Sequence, residues 1–236
     1  DGYGPGASSA RSHRAGRSGE PQPSARPTDT PGMVTAMSPR YTRPMVHKPA
    51  TYDDLARLPP HVVGEIVGGE LVVSPRPAAP HAHAASVLGM DLGSPFQRGR
   101  GGPGGWWILD EPELHFGANV LVPDLAGWRR ERMPVVPDVP FFTLAPDWLC
   151  EVTSPSTASL DRVRKMPLYA EAGVTYVWLV DPRERLLEAY RREGTQWLRI
   201  AAHSDDERVR VEPFAAVELE LSALWGDGSL PSSSAP

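Results

Sequence analysis

The sequence predicts an α/β domain in which one mixed β-sheet carries helices on its faces, and three observations lead there. The run 174–180 is apolar along its length, which suits a strand covered on both faces at the centre of a sheet. Glu65-Ile66-Val67 and Glu70-Leu71-Val72-Val73 are separated only by Gly68-Gly69, a β-hairpin signal. The order helix, strands, helix, strand is not the regular alternation of a doubly wound fold.

Each element has its own local reason. Thr51 precedes Tyr52-Asp53-Asp54-Leu55-Ala56-Arg57-Leu58, with acids in the first turn and Pro59-Pro60 as a stop, so a short opening helix is expected. After the hairpin, 80–92 is alanine-rich with Val87, Leu88 and Leu92 on one face, an amphipathic helix suited to packing on a sheet. Residues 99–105 form a glycine-rich loop without the Gly-Lys-Ser/Thr of a phosphate cradle. Strands follow at 106–109, 113–116, 120–128 and 148–153, the first three expected to pair as an antiparallel meander. Residues 161–172 read as a helix closed by Gly173, then comes the central strand. A last hairpin joins 186–190 to 196–201 around Glu193-Gly194.

Composition breaks the 236 residues into three parts. Residues 1–46 are rich in Gly, Pro, Ser and Arg and too poor in apolar residues to offset chain entropy, so they read as a disordered tail, as do 227–236. Residues 47–226 suit one domain with one core. The single cysteine, Cys150, excludes an internal disulfide and favours a reducing, cytoplasmic setting. No apolar run is long enough to span a bilayer, so no membrane partner is expected.

Charge within the domain is uneven in kind. Residues 49–226 carry seventeen basic and twenty-five acidic side chains, and sixteen of the seventeen are arginine. Lys165 is the exception. Lysine offers a compact ammonium that shifts its proton affinity readily and acts as a point charge, which a planar guanidinium does not. It follows Glu151-Val152-Thr153-Ser154 by a short interval, and Pro123-Asp124 lies upstream on an expected strand. Phosphodiester hydrolysis needs neutralised phosphoryl oxygens and an activated water, which one divalent ion supplies, and magnesium binds through one or two carboxylates while keeping several waters. Asp124 and Glu151 as ligands, Glu65 nearby and Lys165 beside the water make such a set. Strand alternation supports it, since Trp148, Cys150 and Val152 share one face and Glu151 takes the other. Simpler roles stay open: Glu151 as a cap for the following helix, and Lys165 as an i,i+4 partner of Asp161.

Taken in order, these motifs resemble a known family. Tyr52-Asp53-Asp54-Leu55, Glu65-Ile66-Val67-Gly68-Gly69-Glu70-Leu71, Pro123-Asp124-Leu125, Glu151-Val152-Thr153-Ser154-Pro155-Ser156-Thr157, Lys165, Tyr169-Ala170-Glu171-Ala172-Gly173-Val174 and Tyr176-Val177-Trp178-Leu179-Val180-Asp181-Pro182 are similar to the Uma-two group. Its members are restriction-endonuclease-like proteins of the PD-(D/E)XK nuclease superfamily. The resemblance spans about residues 50–200 and implies that superfamily's restriction-endonuclease-like fold, a mixed sheet flanked by helices. It also implies a Mg- or Mn-dependent endonuclease, with Asp124, Glu151 and Glu65 as metal ligands. Lys165 would be the catalytic lysine, moved from the strand position of Thr153 to the next helix. DNA is the implied partner, and a homodimer is left open. Family membership alone does not fix the substrate.

Several residues qualify this reading. Pro167 costs roughly 3 kcal/mol inside a helix, so either the helix kinks or it begins near Met166 with Pro167 in its first turn. His81 and His83 lack a third metal ligand nearby in sequence and read as a helix-entry pair, although His81 stands where the family often has histidine. Ser154 and Ser156 lack a nucleophile-elbow pattern and read as caps. Arg98, Arg100, Arg129, Arg130 and Arg132 are the local basic residues a DNA binder would use, or a solvated loop. The net charge of −8 over 49–226, from the counts above, and Pro167 favour the rival reading, a catalytically silent nucleic-acid-binding or regulatory protein on the same fold.

Overall fold

Two sheets, not one, carry the main strands. The computed structural model describes residues 48–226; the expected tails lie outside the described residues. Helix α1 (Tyr52–Ala56) opens the chain, and the Asp54 carboxylate accepts from both the Thr51 N–H and its hydroxyl at 2.8 Å. Strands β1 (Val62–Val67) and β2 (Glu70–Pro75) form the expected hairpin. Gly68 and Gly69 take φ of 62° and 82°, left-handed values that the tight turn needs and that a side chain would oppose.

Helix α2 (Ala79–Leu92) runs on into a π-helical turn, Gly93–Gln97. Then come β3 (Trp106–Asp110), β4 (Leu114–Phe116), β5 (Asn119–Leu121), β6 (Leu125–Arg129) and β7 (Trp148–Val152). A second π-helical turn, Leu160–Lys165, leads into α3 (Met166–Ala172). Strands β8 (Tyr176–Asp181), β9 (Leu186–Glu193) and β10 (Gln196–Ser204) follow. The short pair β11 (Arg208–Val209) and β12 (Leu219–Glu220) precedes α4 (Ser222–Trp225).

The larger sheet has the order β10-β9-β8-β7-β6-β3 and is mixed: β7 and β8 are parallel, every other pair antiparallel. β8 is interior, as its apolar sequence predicts. The smaller sheet, β2-β1-β5-β4, is wholly antiparallel. This corrects the expectation of one sheet and of a three-strand meander. The run 120–128, read as one strand, breaks at Val122-Pro123-Asp124, where Pro123 has no N–H to give to a ladder. Upstream of the break β5 pairs with β1 and β4; downstream β6 pairs with β3 and β7.

The larger sheet is covered on both faces. Ala84, Leu88, Leu92 and Phe96 from α2 and its π-turn pack with Trp106, Trp148, Cys150, Val152 and Trp178, closed over by Phe214 and Leu224. Each such aliphatic or phenyl side chain contributes roughly 1.5–3 kcal/mol by leaving water. Leu149, Val177, Leu179, Ala126 and Trp128 face the other way, against Met166 and Tyr169 of α3 and Val67, Leu114 and Leu121 of the smaller sheet. α3 ends at Gly173 (φ 95°), as expected. Pro167 falls in the first turn of α3, which the chain enters directly from the π-helical turn, and Lys165 sits at the junction between π-turn and helix.

Candidate active site

Four carboxylates from four different stretches of chain meet at one cavity floor. Glu65 comes from the middle of β1, Asp124 from the break before β6, Glu151 from near the end of β7, and Asp161 from the π-turn. Lys165 stands among them, 2% exposed, with Nζ 2.8 Å from Glu151 Oε1, 2.9 Å from Glu65 Oε1 and 3.8 Å from Asp161 Oδ1. Asp161 is the most distant of the three partners, so an exposed i,i+4 pair does not describe this lysine. The wider π-helical turn puts Asp161 and Lys165 on one inward face, the only buried residues of that segment.

Backbone and side-chain donors fix the acids. The Val122 N–H donates to Glu65 Oε1 at 2.8 Å, and the Val152 N–H donates to Asp124 Oδ2 at 2.6 Å. His81 Nε2 lies 2.6 Å from Asp124 Oδ1. Tyr169 donates its hydroxyl to Glu151 Oε1 at 2.5 Å. Glu151 takes the α3 side of β7 while Cys150 and Val152 take the α2 side, the alternation expected of the strand.

Crowding shows in the proton affinities. Burial pushes the Glu151 carboxyl well above the usual carboxylate range, with Asp161, Asp124 and Glu65 adding to the effect and Lys165 opposing it. Asp161 is pushed up to about 6, again first by burial, against the pull of Lys165 and a hydrogen bond from Thr157. For Lys165, burial works against the ammonium, but Glu151, Tyr169, Glu65 and Asp161 outweigh it and hold the group well above the ordinary lysine value. Its neighbours therefore keep Lys165 charged. Burial likewise opposes a charged His81, and the hydrogen bond and charge of Asp124 raise it above its usual value despite that.

These donors are oxygen-rich, the chemistry that a hard divalent cation such as Mg or Mn takes. Among the described residues, no three His, Cys, Asp or Glu side chains stand at metal-holding spacing. Lys165 Nζ takes the point on which Glu65 and Glu151 converge.

Residues 49–223 match the sequence profile of Uma2, described as "Putative restriction endonuclease". The chain belongs to the Uma2 family. Among solved structures, this Uma2 chain is similar to a "putative nuclease belonging to DUF820" from Anabaena variabilis, with a TM-score of 0.61 and 24% identity over 75% of this chain and 98% of that one. That likeness concerns the fold, a multi-stranded mixed sheet flanked by helices. No curated protein matches the chain.

Asp124, Glu151, Glu65 and Lys165, all singled out in the sequence, are brought together. His81, read there as a helix-entry residue, joins them, whereas His83 bonds to the Ala223 carbonyl at 3.0 Å. In the sequence Tyr169 stands out only within the family resemblance, with no role at the site, and Asp161 only as an i,i+4 partner of Lys165. The arginine cluster does not line this cavity. Arg129 ends β6 and Arg130 follows it, stacked over Trp106 and Trp107, with Arg130 also donating to the carbonyls of Gln97 and Trp106. Arg132 pairs with Asp147 at 3.0 Å. The first two brace the β3 edge. No helix among the described residues is long and apolar enough to cross a membrane.

Proposed function

We propose that this Uma2 protein is a metal-dependent endonuclease of the PD-(D/E)XK type that hydrolyses DNA phosphodiester bonds. Asp124, Glu151 and Glu65 would hold Mg or Mn, and Lys165 would act as the catalytic ammonium. The observation that carries this reading is the convergence of three carboxylates on one buried lysine, with Asp124 beside them, in a cavity of about 620 Å³. The fold likeness and family membership support it.

In the reaction, the oxygen of a water bonds to phosphorus, one phosphorus–oxygen ester bond breaks, and the water's proton leaves with the departing alcohol or to solvent. A bound divalent ion supplies charge neutralisation on the phosphoryl group and a more acidic water. Lys165 contributes a fixed positive charge where the phosphoryl oxygens gain negative charge, a preorganised group of the kind whose loss typically costs a hundredfold or more in rate. Because its neighbours hold it charged, it serves as an electrostatic donor and not as a general base. Tyr169 and the Val122 and Val152 amides aim the carboxylates.

One observation favours the rival reading of a silent binding protein: Lys165 already closes the gap between Glu65 and Glu151. Nicking of supercoiled plasmid separates the two. Mg- or Mn-dependent nicking by the wild type, abolished by chelator and by Glu151→Gln, is the expected result. No nicking at any concentration of either ion would leave the silent reading.

A further inference from the structure

The shape and charge of the cavity bear on which form of DNA enters it. Its chemical groups lie deep: Glu65, Glu151 and Asp161 are 6%, 4% and 4% exposed. The lining also holds aliphatic residues, Val72 and Pro75 from β2, and Leu160 and Pro182. A volume of about 620 Å³ falls within the 300–1,000 Å³ range of pockets that enclose a small molecule. A duplex is read from outside by elements that enter a groove or by a broad basic face. Neither feature lines this cavity, whose only cations besides Lys165 and His81 are Arg76 and Arg183.

Those two arginines are exposed, and neither has an ion-pair partner among the described residues. Arg76 follows β2 of the smaller sheet and donates to the Pro60 carbonyl at 3.3 Å, and Arg183 follows β8 of the larger, so each sheet presents one cation without an ion pair to the same cavity. Resting on the nuclease reading, we infer that the site takes a single DNA strand in preference to a duplex, with Arg76 and Arg183 gripping its phosphates at the two rims. His81 is the only aromatic ring in the lining, so no stacking platform selects a base and recognition is indifferent to sequence.

The test is fluorescence anisotropy of the full chain with one labelled oligonucleotide, offered as a single strand and as its blunt duplex, in EDTA so that turnover does not intervene. The single strand is expected to bind at least about tenfold more tightly, with a log–log salt slope that shrinks by about 0.7 for each of Arg76→Ala and Arg183→Ala. Both variants change exposed side chains, and unchanged melting confirms that they fold. Equal or tighter duplex binding overturns the inference, as do arginine variants that bind the single strand like wild type. Arginine-dependent single-strand binding without cleavage under Mg or Mn would uphold it while removing the nuclease reading.

Discussion

Tyr169 Oη lies 2.5 Å from Glu151 Oε1, the same oxygen that Lys165 Nζ reaches at 2.8 Å. Two donors four residues apart thus fasten α3 to one carboxylate oxygen of β7. Tyr169→Phe leaves that buried group one donor short. The expected loss is about 1–3 kcal/mol, the cost of an unsatisfied buried polar group, read from urea unfolding at neutral pH. A midpoint unchanged from wild type would mean that the phenol does not support Glu151.

Lys165 balances three buried acids, so its removal leaves uncompensated charge. Lys165→Met is expected to destabilise the protein by about 3–5 kcal/mol at neutral pH. Lys165→Arg keeps the charge but forces a wider group into contacts of 2.8 and 2.9 Å, at about 1–3 kcal/mol for overpacking. Its single-turnover cleavage rate at saturating metal is expected to fall on the order of a hundredfold. Wild-type rates in the arginine variant would contradict the role given to this ammonium.

Asp161 gives a pH signature. Its folded value of about 6 lies above the ordinary aspartate value of 3.8, so the folded protein binds the extra proton between the two. Stability contributed at this position is therefore greatest below about pH 4 and declines as pH rises to about 6, the opposite of an ion-paired carboxylate. Compared with Asp161→Asn across that window in the absence of metal, wild type should lose on the order of 2–3 kcal/mol. Parallel stability profiles for the two proteins would exclude it.

Metal binding is the most direct check on Asp124 and Glu151. At a hundred times its dissociation constant, a ligand that binds only the folded state stabilises by about 2.7 kcal/mol. Wild type should show that gain with Mg or Mn, and Asp124→Asn and Glu151→Gln should not. Titration calorimetry showing unchanged affinity in both variants would dismiss these residues as ligands.

Much of this arrangement was legible in the sequence because it is local. The side of β7 that Glu151 takes follows from a period of two, the β1–β2 turn from paired glycines, and the entry of α3 from Pro167. What was not legible depends on distant encounters. His81 meets Asp124 across forty-three positions, and no periodicity in α2 marks it for that role. Asp161 was visible beside Lys165, but its burial depends on Glu65 arriving from β1. The division into two sheets turns on one proline whose missing N–H reads as a local turn until the pairing partners of β5 and β6 are known. The arginines near Trp106 and Trp107 carried a basic signal, yet stacking and backbone carbonyls account for them.

The hairpin that opens the smaller sheet separates two tasks between its strands. β1 supplies Glu65, while β2 supplies wall residues and ends beside Arg76, none of them bonded to the acids. Exchanging side chains along β2 therefore alters the bore and grip of the entrance while leaving the carboxylates and their donors in place. A designer wishing to redirect this protein toward a bulkier or slimmer polymer has one strand to remodel, and every reason to leave its neighbour untouched.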